Sequence, residues 1–173
     1  VLLIGLDAAS WANLEPSIEA GLMPTLAGLQ NRGAWGELES SDPTWSPRIW
    51  TTIATGRRPE DHGILDFTKD GVPYSSNSRR EWALWDLLPL YGARSAFHYW
   101  WASCPAEDVD GRIVTDRVQQ FELDQRLSPE QEEGHLQAIF EAAQTRAEPR
   151  SQSLSGTPPD SVEEFEERHA IKL

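Results

Sequence analysis

The sequence predicts an α/β fold with a mostly parallel sheet and flanking helices. An apolar run at residues 1–6 opens the chain, as is typical of a strand that is covered on both faces. Segments with helical apolar spacing then alternate with strand-like segments, which favours parallel pairing through helical crossovers. Eight tryptophans and a hydrophobic fraction of 39% indicate a folded protein with substantial buried aromatic surface.

The first helical region is predicted at residues 14–32, after the opening apolar run. Three leucines at helical spacing give this region an apolar face, and Gly33 is its expected stop. Residues 21–24 interrupt it, because they contain a glycine and a proline, which both disfavour helix interiors. A weak alternation of apolar and polar residues at positions 34–39 predicts a second strand.

A second helix is predicted at residues 46–55, after a turn at Asp42-Pro43. Its apolar residues recur at helical spacing, and Gly56 follows them as the expected C-terminal stop. The pair Asp70-Gly71 lies in a polar, turn-rich stretch and predicts an exposed loop or hairpin.

The later part of the chain is predicted to continue the alternation of helices and strands. A short helix at residues 81–88 is followed by strands at residues 93–101 and 112–116. Ser128-Pro129 is expected to start a helix that reaches residue 147, because serine caps helices and proline suits their first turn.

The domain organisation follows from the composition beyond that helix. Residues 1–147 are predicted to belong to one domain, and residues 148–161, rich in Pro, Ser, Gly and Gln, to form a linker or loop. Residues 162–173 are predicted to form a last helix. Because no stop signal ends this helix and Val1 stands within an apolar run, we expect the sequence to be part of a longer protein.

The net charge of −13 restricts the classes of partner. Such a surface repels nucleic acid phosphates on average, so we expect no nucleic acid polymer as a partner. No run approaches the roughly 18 apolar residues of a membrane span, so none is expected. Cys104 is the single cysteine, which excludes an intrachain disulfide. Cellular location and oligomeric state stay open.

Asp7 is the first candidate for chemistry, because it ends the first predicted strand. In open α/β sheets, ligands bind outside the carboxyl ends of the strands, and carboxylate oxygens there are suited to a divalent cation. An equally good interpretation is that Asp7 caps the following helix.

Ser46 is the second candidate, at the start of the predicted helix 46–55. A hydroxyl at a helix N-terminus faces unpaired N–H groups and the positive end of the helix dipole, which favours bound phosphate and an activated alkoxide. The alternative is again capping, since Ser-Pro is an ordinary helix start.

The residues around Ser46 form a longer pattern than a cap requires. It continues through Thr55-Gly56 and Pro59 to His62-Gly63-Ile64, and Ile4-Gly5-Leu6-Asp7 and Met23-Pro24-Thr25-Leu26 precede it. In order and spacing, these segments resemble the alkaline phosphatase superfamily, and most closely its type I phosphodiesterase and nucleotide pyrophosphatase branch. The resemblance covers about residues 1–67, with a looser likeness from Trp100 to Asp116.

This resemblance implies an alkaline phosphatase-like fold and metal-dependent hydrolysis of phosphodiester or phosphomonoester bonds in a small phosphorylated substrate. The family's nucleophile lies ten residues before the glycine of the Thr-Gly pair, which here gives Ser46. The aspartate that ends the first strand binds one of two metal ions, usually zinc. The resemblance therefore implies Asp7 and Ser46 as ligands, and residues 1–147 as the N-terminal part of the catalytic domain.

Two neighbours of Ser46 are candidates for substrate binding. The guanidinium of Arg48 would attract an anionic group, although pairing with Glu60 or Asp61 is an alternative. Trp45 would line the pocket, whereas Trp50, at helical spacing, is expected in the core.

The sequence departs from the family pattern at two points. The family usually has glycine after the first aspartate, and Ala8 stands there instead, which weakens the site if that glycine provides an unusual backbone angle. The family's later Asp and His ligands are also missing, so we expect an incomplete active site. Asp61-His62 resembles such a ligand pair only superficially, and His62 is expected to fix the turn after the helix.

Several alternatives stay open at this stage. The chain would be a pseudoenzyme or binding fragment that keeps the fold, or a relative of the sulfatases or phosphosugar mutases. The remaining histidines are expected to be structural, with His98 in the core and His135 and His169 on the surface. Cys104 has no activating neighbour in the sequence and is expected to be inert.

Overall fold

Helices occur first along the chain, and strands appear only after residue 62. The computed structural model describes residues 1–118, 120, 125–129, 134 and 138. The chain divides into two units, and the described part of the first is Val1–Glu39, while the second is Ser40–Ala138. The helices and strands reported below belong to these described residues.

The first unit contains two helices, α1 (Trp11–Glu19) and α2 (Pro24–Arg32). They confirm the helical region that the sequence predicts, including its interruption near residues 21–24. Pro24 is the first residue of α2, where its fixed φ angle and missing N–H are tolerated. The rings of Trp11 and Trp35 meet edge to face with their centroids 5.1 Å apart.

The two strands predicted in this unit are not formed in the described structure. Neither residues 1–6 nor residues 34–39 belong to a strand, and the apolar side chains of the first run are exposed, Leu2 by 82%. A strand needs a neighbour that takes up its N–H and C=O groups, and no described residue pairs with either segment. Apolar composition shows that a segment favours burial, but it does not supply the partner.

The second unit begins with α3 (Ser46–Thr55) and the short α4 (Pro59–His62). Helix α3 has the bounds predicted from the sequence. Gly56 follows it with a left-handed φ of 65°, which a residue without a side chain adopts at little cost. The chain therefore reverses quickly after α3, and α4 packs against it.

A hairpin follows, in which β1 (Thr68–Lys69) pairs with β2 (Val72–Pro73) in antiparallel register. Asp70 and Gly71 form its turn with φ angles of 52° and 78°, and positive φ at both positions is what a tight two-residue turn requires. The prediction of an exposed loop or hairpin here is confirmed.

Helix α5 (Leu84–Leu87) is shorter than the predicted helix at residues 81–88 and continues into a 3-10 turn, Leu88–Tyr91. A partly buried ion-pair network fixes this region. The guanidinium of Arg79 donates to both carboxylate oxygens of Glu107, at 2.6 and 3.0 Å, and to Asp86 at 3.0 Å. The indole of Trp85 donates to the same Glu107 at 2.7 Å.

A three-stranded sheet completes the second unit, in the order β3 (Ser95–Trp100), β4 (Gly111–Thr115) and β5 (Leu127–Ser128). β3 and β4 are parallel, whereas β5 runs antiparallel to β4. The α/β class agrees with the structure, but a mostly parallel sheet is not confirmed. Ser128 pairs with Ile113 in β5, so it is a strand residue and not the helix cap that the sequence predicts.

Aromatic rings dominate the core of the second unit. Trp50 and Trp100 meet edge to face at 5.0 Å, and Trp85 and Phe97 at 4.9 Å. This confirms Trp50 as a core-packing residue. The buried members of the cluster are Ala54, Ala83, Trp85, Trp100 and Ile113.

Several predictions concern residues outside the described part of the chain, and the prediction for His98 is wrong. In the helix predicted to reach residue 147, Gly134 and Ala138 are described and are helical. The other residues of that helix after Pro129, the linker at 148–161, the helix at 162–173, His135 and His169 lie outside the described residues. His98 lies on β3 and is exposed, so the prediction that it lies in the core was wrong. Its strand β3 is at the edge of the three-stranded sheet.

Within the described part of the chain, no helix has the length and apolarity of a membrane span.

Candidate active site

Ser46 is the first residue of α3 and is half-buried. Trp45 precedes it in an extended conformation and acts as the N-cap residue, with its carbonyl accepting the N–H of Ile49 at 3.1 Å. Pro47 occupies the second helical position, where no N–H is lost from the helix ladder. Ser46 thus belongs to the first helical turn, at the positive end of the helix dipole.

The core holds α3 firmly along its length. Pro47, Thr51 and Ala54 are buried, and the hydroxyl of Thr51 donates to the carbonyl of Pro47 at 2.7 Å. The indole N–H of Trp100 donates to the carbonyl of Trp50 at 2.8 Å, in addition to the contact between their rings. The position of the first turn of α3 is therefore set by the packing of the whole helix.

His62 ties α4 to α3. Its ring is fully buried, with Nε2 lying 3.0 Å from the hydroxyl of Thr52 and Nδ1 accepting the N–H of Ile64 at 3.2 Å. Because Nδ1 accepts a hydrogen bond, the ring proton is assigned to Nε2, which donates to Thr52. These bonds confirm that His62 fixes the turn after α3.

The pKa of His62 is lowered from its ordinary value. Burial is the main cause, because it penalises the imidazolium, and the positive charge of Arg48 adds to the effect. The carboxylates of Glu60 and Asp61 act in the opposite direction but do not outweigh burial. His62 is therefore a neutral structural residue at physiological pH.

A pocket of about 280 Å³ opens beside the start of α3. Its walls come from Pro47, the β1–β2 hairpin, the loop after β3 and the end of β4. Phe67 and Trp101 meet edge to face there at 5.5 Å, and Arg117 is its basic residue. The lining residues are Pro47, Phe67, Thr68, Pro73, Tyr74, Trp101, Ala102, Asp116 and Arg117.

Most of these lining residues were missed by the sequence analysis. Arg117 reaches across the pocket wall and donates to the carbonyl of Tyr74 at 2.8 Å, a contact between residues 43 positions apart. The signals in the sequence were the family likeness over residues 1–67, which includes Pro47 and Phe67, and the looser likeness between Trp100 and Asp116. Pro47 connects the pocket to the motif, because it directly follows Ser46.

Ser46, Arg48 and Trp45 are not among the residues that line this pocket, and Pro47 is its lining residue from α3. Nη2 of Arg48 lies 3.6 Å from the carboxylate of Glu60, which is the alternative considered for this residue. Trp45 is 41% exposed at the N-cap position. Arg57 also pairs with an acid, Glu81, at 3.5 Å.

Asp7 lies in a turn of the first unit and is exposed. One carboxylate oxygen accepts the N–H of Ala8 at 3.0 Å. Ala8 has a φ of 57°, so the position where the family usually has glycine does require a left-handed backbone. Asp7 belongs to the first unit and Ser46 to the second.

The described residues do not fit a complete metal site. No three His, Cys, Asp or Glu side chains among them come together as a group that would hold an ion. A tetrahedral zinc site needs three or four protein ligands, so Asp7 and Ser46 would not suffice. Cys104 is buried, and this burial raises the pKa of its thiol, in keeping with an unreactive residue.

A family model described as type I phosphodiesterase / nucleotide pyrophosphatase matches residues 1–167 of the 173 in the chain. No match to the chain was found among curated proteins or among solved structures.

Proposed function

The chain belongs to the type I phosphodiesterase / nucleotide pyrophosphatase family, and we propose that it hydrolyses phosphodiester bonds with Ser46 as the nucleophile. The observation that carries this proposal is the position of Ser46. It begins α3 immediately before Pro47, which lines a pocket that contains the cation of Arg117. The proposed nucleophile thus lies at a helix N-terminus and is the sequence neighbour of a residue that lines a pocket with one cation, Arg117, and one carboxylate, Asp116.

The chemistry suits a hydroxyl in this place. In the proposed reaction, Oγ of Ser46 bonds to phosphorus while the bond to the leaving oxygen breaks, and the serine proton ends on the released alcohol. Water then cleaves the phosphoserine ester, which restores Ser46 and yields the monoester. The N–H groups and dipole at the start of α3 favour the negative charge of the phosphoryl oxygens at both steps.

The pocket indicates the kind of substrate. Its volume of about 280 Å³ lies at the lower end of small-ligand pockets, which suits a small phosphorylated molecule and not a polymer. Phe67, Tyr74 and Trp101 supply aromatic surface, and Arg117 supplies a positive charge. We therefore propose a diester that carries one planar or aromatic group beside its phosphate.

Metal dependence is the second part of the proposal. The family is generally metal-dependent, and Asp7 and Ser46 are proposed as ligands of a divalent metal, two zinc ions by resemblance. Since the described residues hold no complete ligand set, the remaining ligands would come from outside them. Removal of metal by a chelator should abolish turnover, and titration with zinc should restore it.

The proposal is tested by the hydrolysis of a chromogenic aryl phosphodiester. Ser46→Ala should lower kcat by about 10³-fold or more, as for other nucleophile deletions, while Ser46→Thr keeps a hydroxyl and should retain part of the activity. Ser41→Ala, an exposed serine five residues earlier, is the matched control and should behave as wild type. Turnover by Ser46→Ala at the wild-type rate would remove the nucleophile assignment.

A different result would favour the binding-protein alternative. If the metal-loaded wild-type protein hydrolyses neither phosphodiesters nor phosphomonoesters but still binds an aryl phosphonate, the chain is a pseudoenzyme that keeps the fold and the pocket. Sulfatase or mutase activity would instead appear as turnover of an aryl sulfate or a sugar phosphate in the same assay series.

A further inference from the structure

Asp116 follows β4 and lines the pocket. Its carboxylate also accepts hydrogen bonds from the backbone of the loop after β3. One oxygen accepts the N–H groups of Ser103 and Cys104, at 3.2 and 3.1 Å, and the other accepts the N–H of Ala102 at 3.1 Å. Three consecutive backbone donors therefore converge on one side chain.

Ser103 adds hydrogen bonds of its own between the loop and Asp116. It is fully buried, and its hydroxyl donates to the carbonyl of Trp100 at 2.5 Å while accepting the N–H of Asp116 at 3.1 Å. The Asp116 carboxylate, the Ser103 hydroxyl and the N–H groups of residues 102–104 are here called the clasp. The clasp joins the loop after β3 to the end of β4.

The loop after β3 contains a residue in an unfavourable backbone conformation, which the clasp would hold in place. Ala102 has a φ of 56°, a left-handed conformation that costs an alanine about 1–2 kcal/mol. Such a conformation persists only where the surrounding bonds impose it. Trp101, the residue before Ala102, lies in the pocket wall with its ring against Phe67.

We propose that Asp116 is a positioning residue that determines specificity, because the clasp holds Trp101 as the aromatic wall of the substrate pocket. The inference rests on the proposed function for the identity of the ligand. Asp116 makes no bond to phosphorus or to the leaving group in this proposal. It acts through Trp101, and its effect is on the preference for an aromatic group.

Asp116→Asn is the principal variant. An amide has one acceptor oxygen and a donor NH₂ group, so it cannot accept on both sides of the clasp, and its NH₂ would face a backbone N–H. The side-chain shape is otherwise kept. We expect the loop to leave its left-handed conformation at Ala102 and Trp101 to lose its fixed place.

The first readout needs no ligand. Cys104 is the single cysteine of the chain, is buried, and donates its own N–H to the clasp. Its rate of reaction with a thiol reagent under native conditions should rise about tenfold or more in Asp116→Asn. An unchanged rate in the folded variant would show that the clasp does not hold the loop, and would overturn the proposal whatever the protein binds.

The second readout is selectivity between phenylphosphonate and methylphosphonate, which share a head group and differ in the ring. Asp116→Asn should lower the ratio of the phenylphosphonate affinity to the methylphosphonate affinity about tenfold, because the change of charge in the pocket wall acts alike on the head group that both ligands share. A residue that only stabilises the fold would weaken both ligands equally. Retained preference for the phenyl ligand, despite a faster Cys104 reaction, would also overturn the proposal.

Trp101→Leu completes a double-mutant cycle. If Asp116 acts through Trp101, the single variants lose the same selectivity and the double variant loses no more, whereas additive losses would contradict the mechanism. Wild-type protein without any phenyl preference would contradict both this proposal and the aromatic part of the proposed function. Loss of phosphodiesterase activity with phenyl preference intact would contradict the proposed function alone.

Ser103→Ala is the second variant if Asp116→Asn does not fold. It removes the contacts of the hydroxyl with the carbonyl of Trp100 and with the N–H and carboxylate of Asp116. The three bonds from backbone N–H groups to the carboxylate are left. Cys104 reactivity and selectivity should change in the same directions as for Asp116→Asn, by a smaller factor. A folded Ser103→Ala protein with both quantities at their wild-type values would overturn the clasp.

Discussion

At Ala8, the backbone adopts a φ of 57° that alanine disfavours. The left-handed conformation costs an L-residue about 1–2 kcal/mol, and glycine avoids most of this cost while losing some entropy on folding. We therefore predict that Ala8→Gly raises the free energy of unfolding by about 1 kcal/mol, measured by urea denaturation.

Ala9→Gly is the matched control for this prediction. Ala9 is the next residue and is not among those with positive φ, so glycine there brings only its entropic cost. It should leave stability unchanged or lower it. A stabilising Ala9→Gly, or a destabilising Ala8→Gly, would contradict the idea that the strain lies at Ala8.

His62 gives a second prediction at the scale of single residues, on the dependence of stability on pH. Its pKa is lowered in the folded protein, mainly by burial, whereas in the unfolded chain it titrates near 6.5. Between these two values the unfolded state binds more protons, so the free energy of unfolding should fall as pH falls below about 6.5. Urea denaturation at pH 7.5 and 5.5 measures the change.

Two variants isolate the contribution of His62. His62→Gln cannot titrate, so its stability should change less between the two pH values than that of wild type. His98 is exposed on β3, and His98→Gln should keep the full wild-type pH dependence. Equal slopes for wild type and His62→Gln would show that this buried ring does not control acid sensitivity.

At the scale of elements, the junction of β3 and β4 depends on a glycine. Gly111 pairs with Ser95 at the start of the parallel ladder with a φ of 148°, and a Cβ atom there would overlap the carbonyl oxygen of Ser95. We predict that Gly111→Ala lowers the free energy of unfolding by at least about 2 kcal/mol. The control is Gly36→Ala, where no atom lies within 4 Å of the new Cβ, and its effect should stay within about 0.5 kcal/mol.

Local signals account for the elements that the sequence predicts well. The bounds of α3 follow from Ser-Pro at its start and Gly56 at its end, and the hairpin follows from Asp70-Gly71. Each of these signals acts within a few residues. The strands predicted at 1–6 and 34–39 needed partners from elsewhere in the chain, and no local pattern reports whether such partners exist.

The same distinction applies to the candidate site. The helix start at Ser46 is predictable because its signals are contiguous in sequence, and the role of Ser46 as nucleophile stays a prediction. The aromatic wall is not predictable, because Phe67, Tyr74 and Trp101 meet only through the packing of the hairpin against the loop after β3. The clasp of Asp116 spans 12 to 14 residues and likewise has no periodic signature.

At the scale of the whole molecule, the net charge of −13 opposes an anionic ligand. This repulsion is long-ranged at low salt, since the Debye length is about 30 Å at 0.01 M and about 8 Å at 0.15 M. Arg117 lies in the pocket itself, and its attraction for a phosphonate acts over a short distance that salt screens less.

We therefore predict that phenylphosphonate binds more tightly at 0.15 M than at 0.01 M salt, because screening removes repulsion faster than it removes the local attraction. Titration at the two ionic strengths measures the change. Arg117→Gln should weaken binding at both ionic strengths and keep the strengthening by salt, since the excess of acidic residues over basic residues in the chain remains. Affinity that falls with salt would mean that local cations, and not the net charge, dominate the field at the pocket.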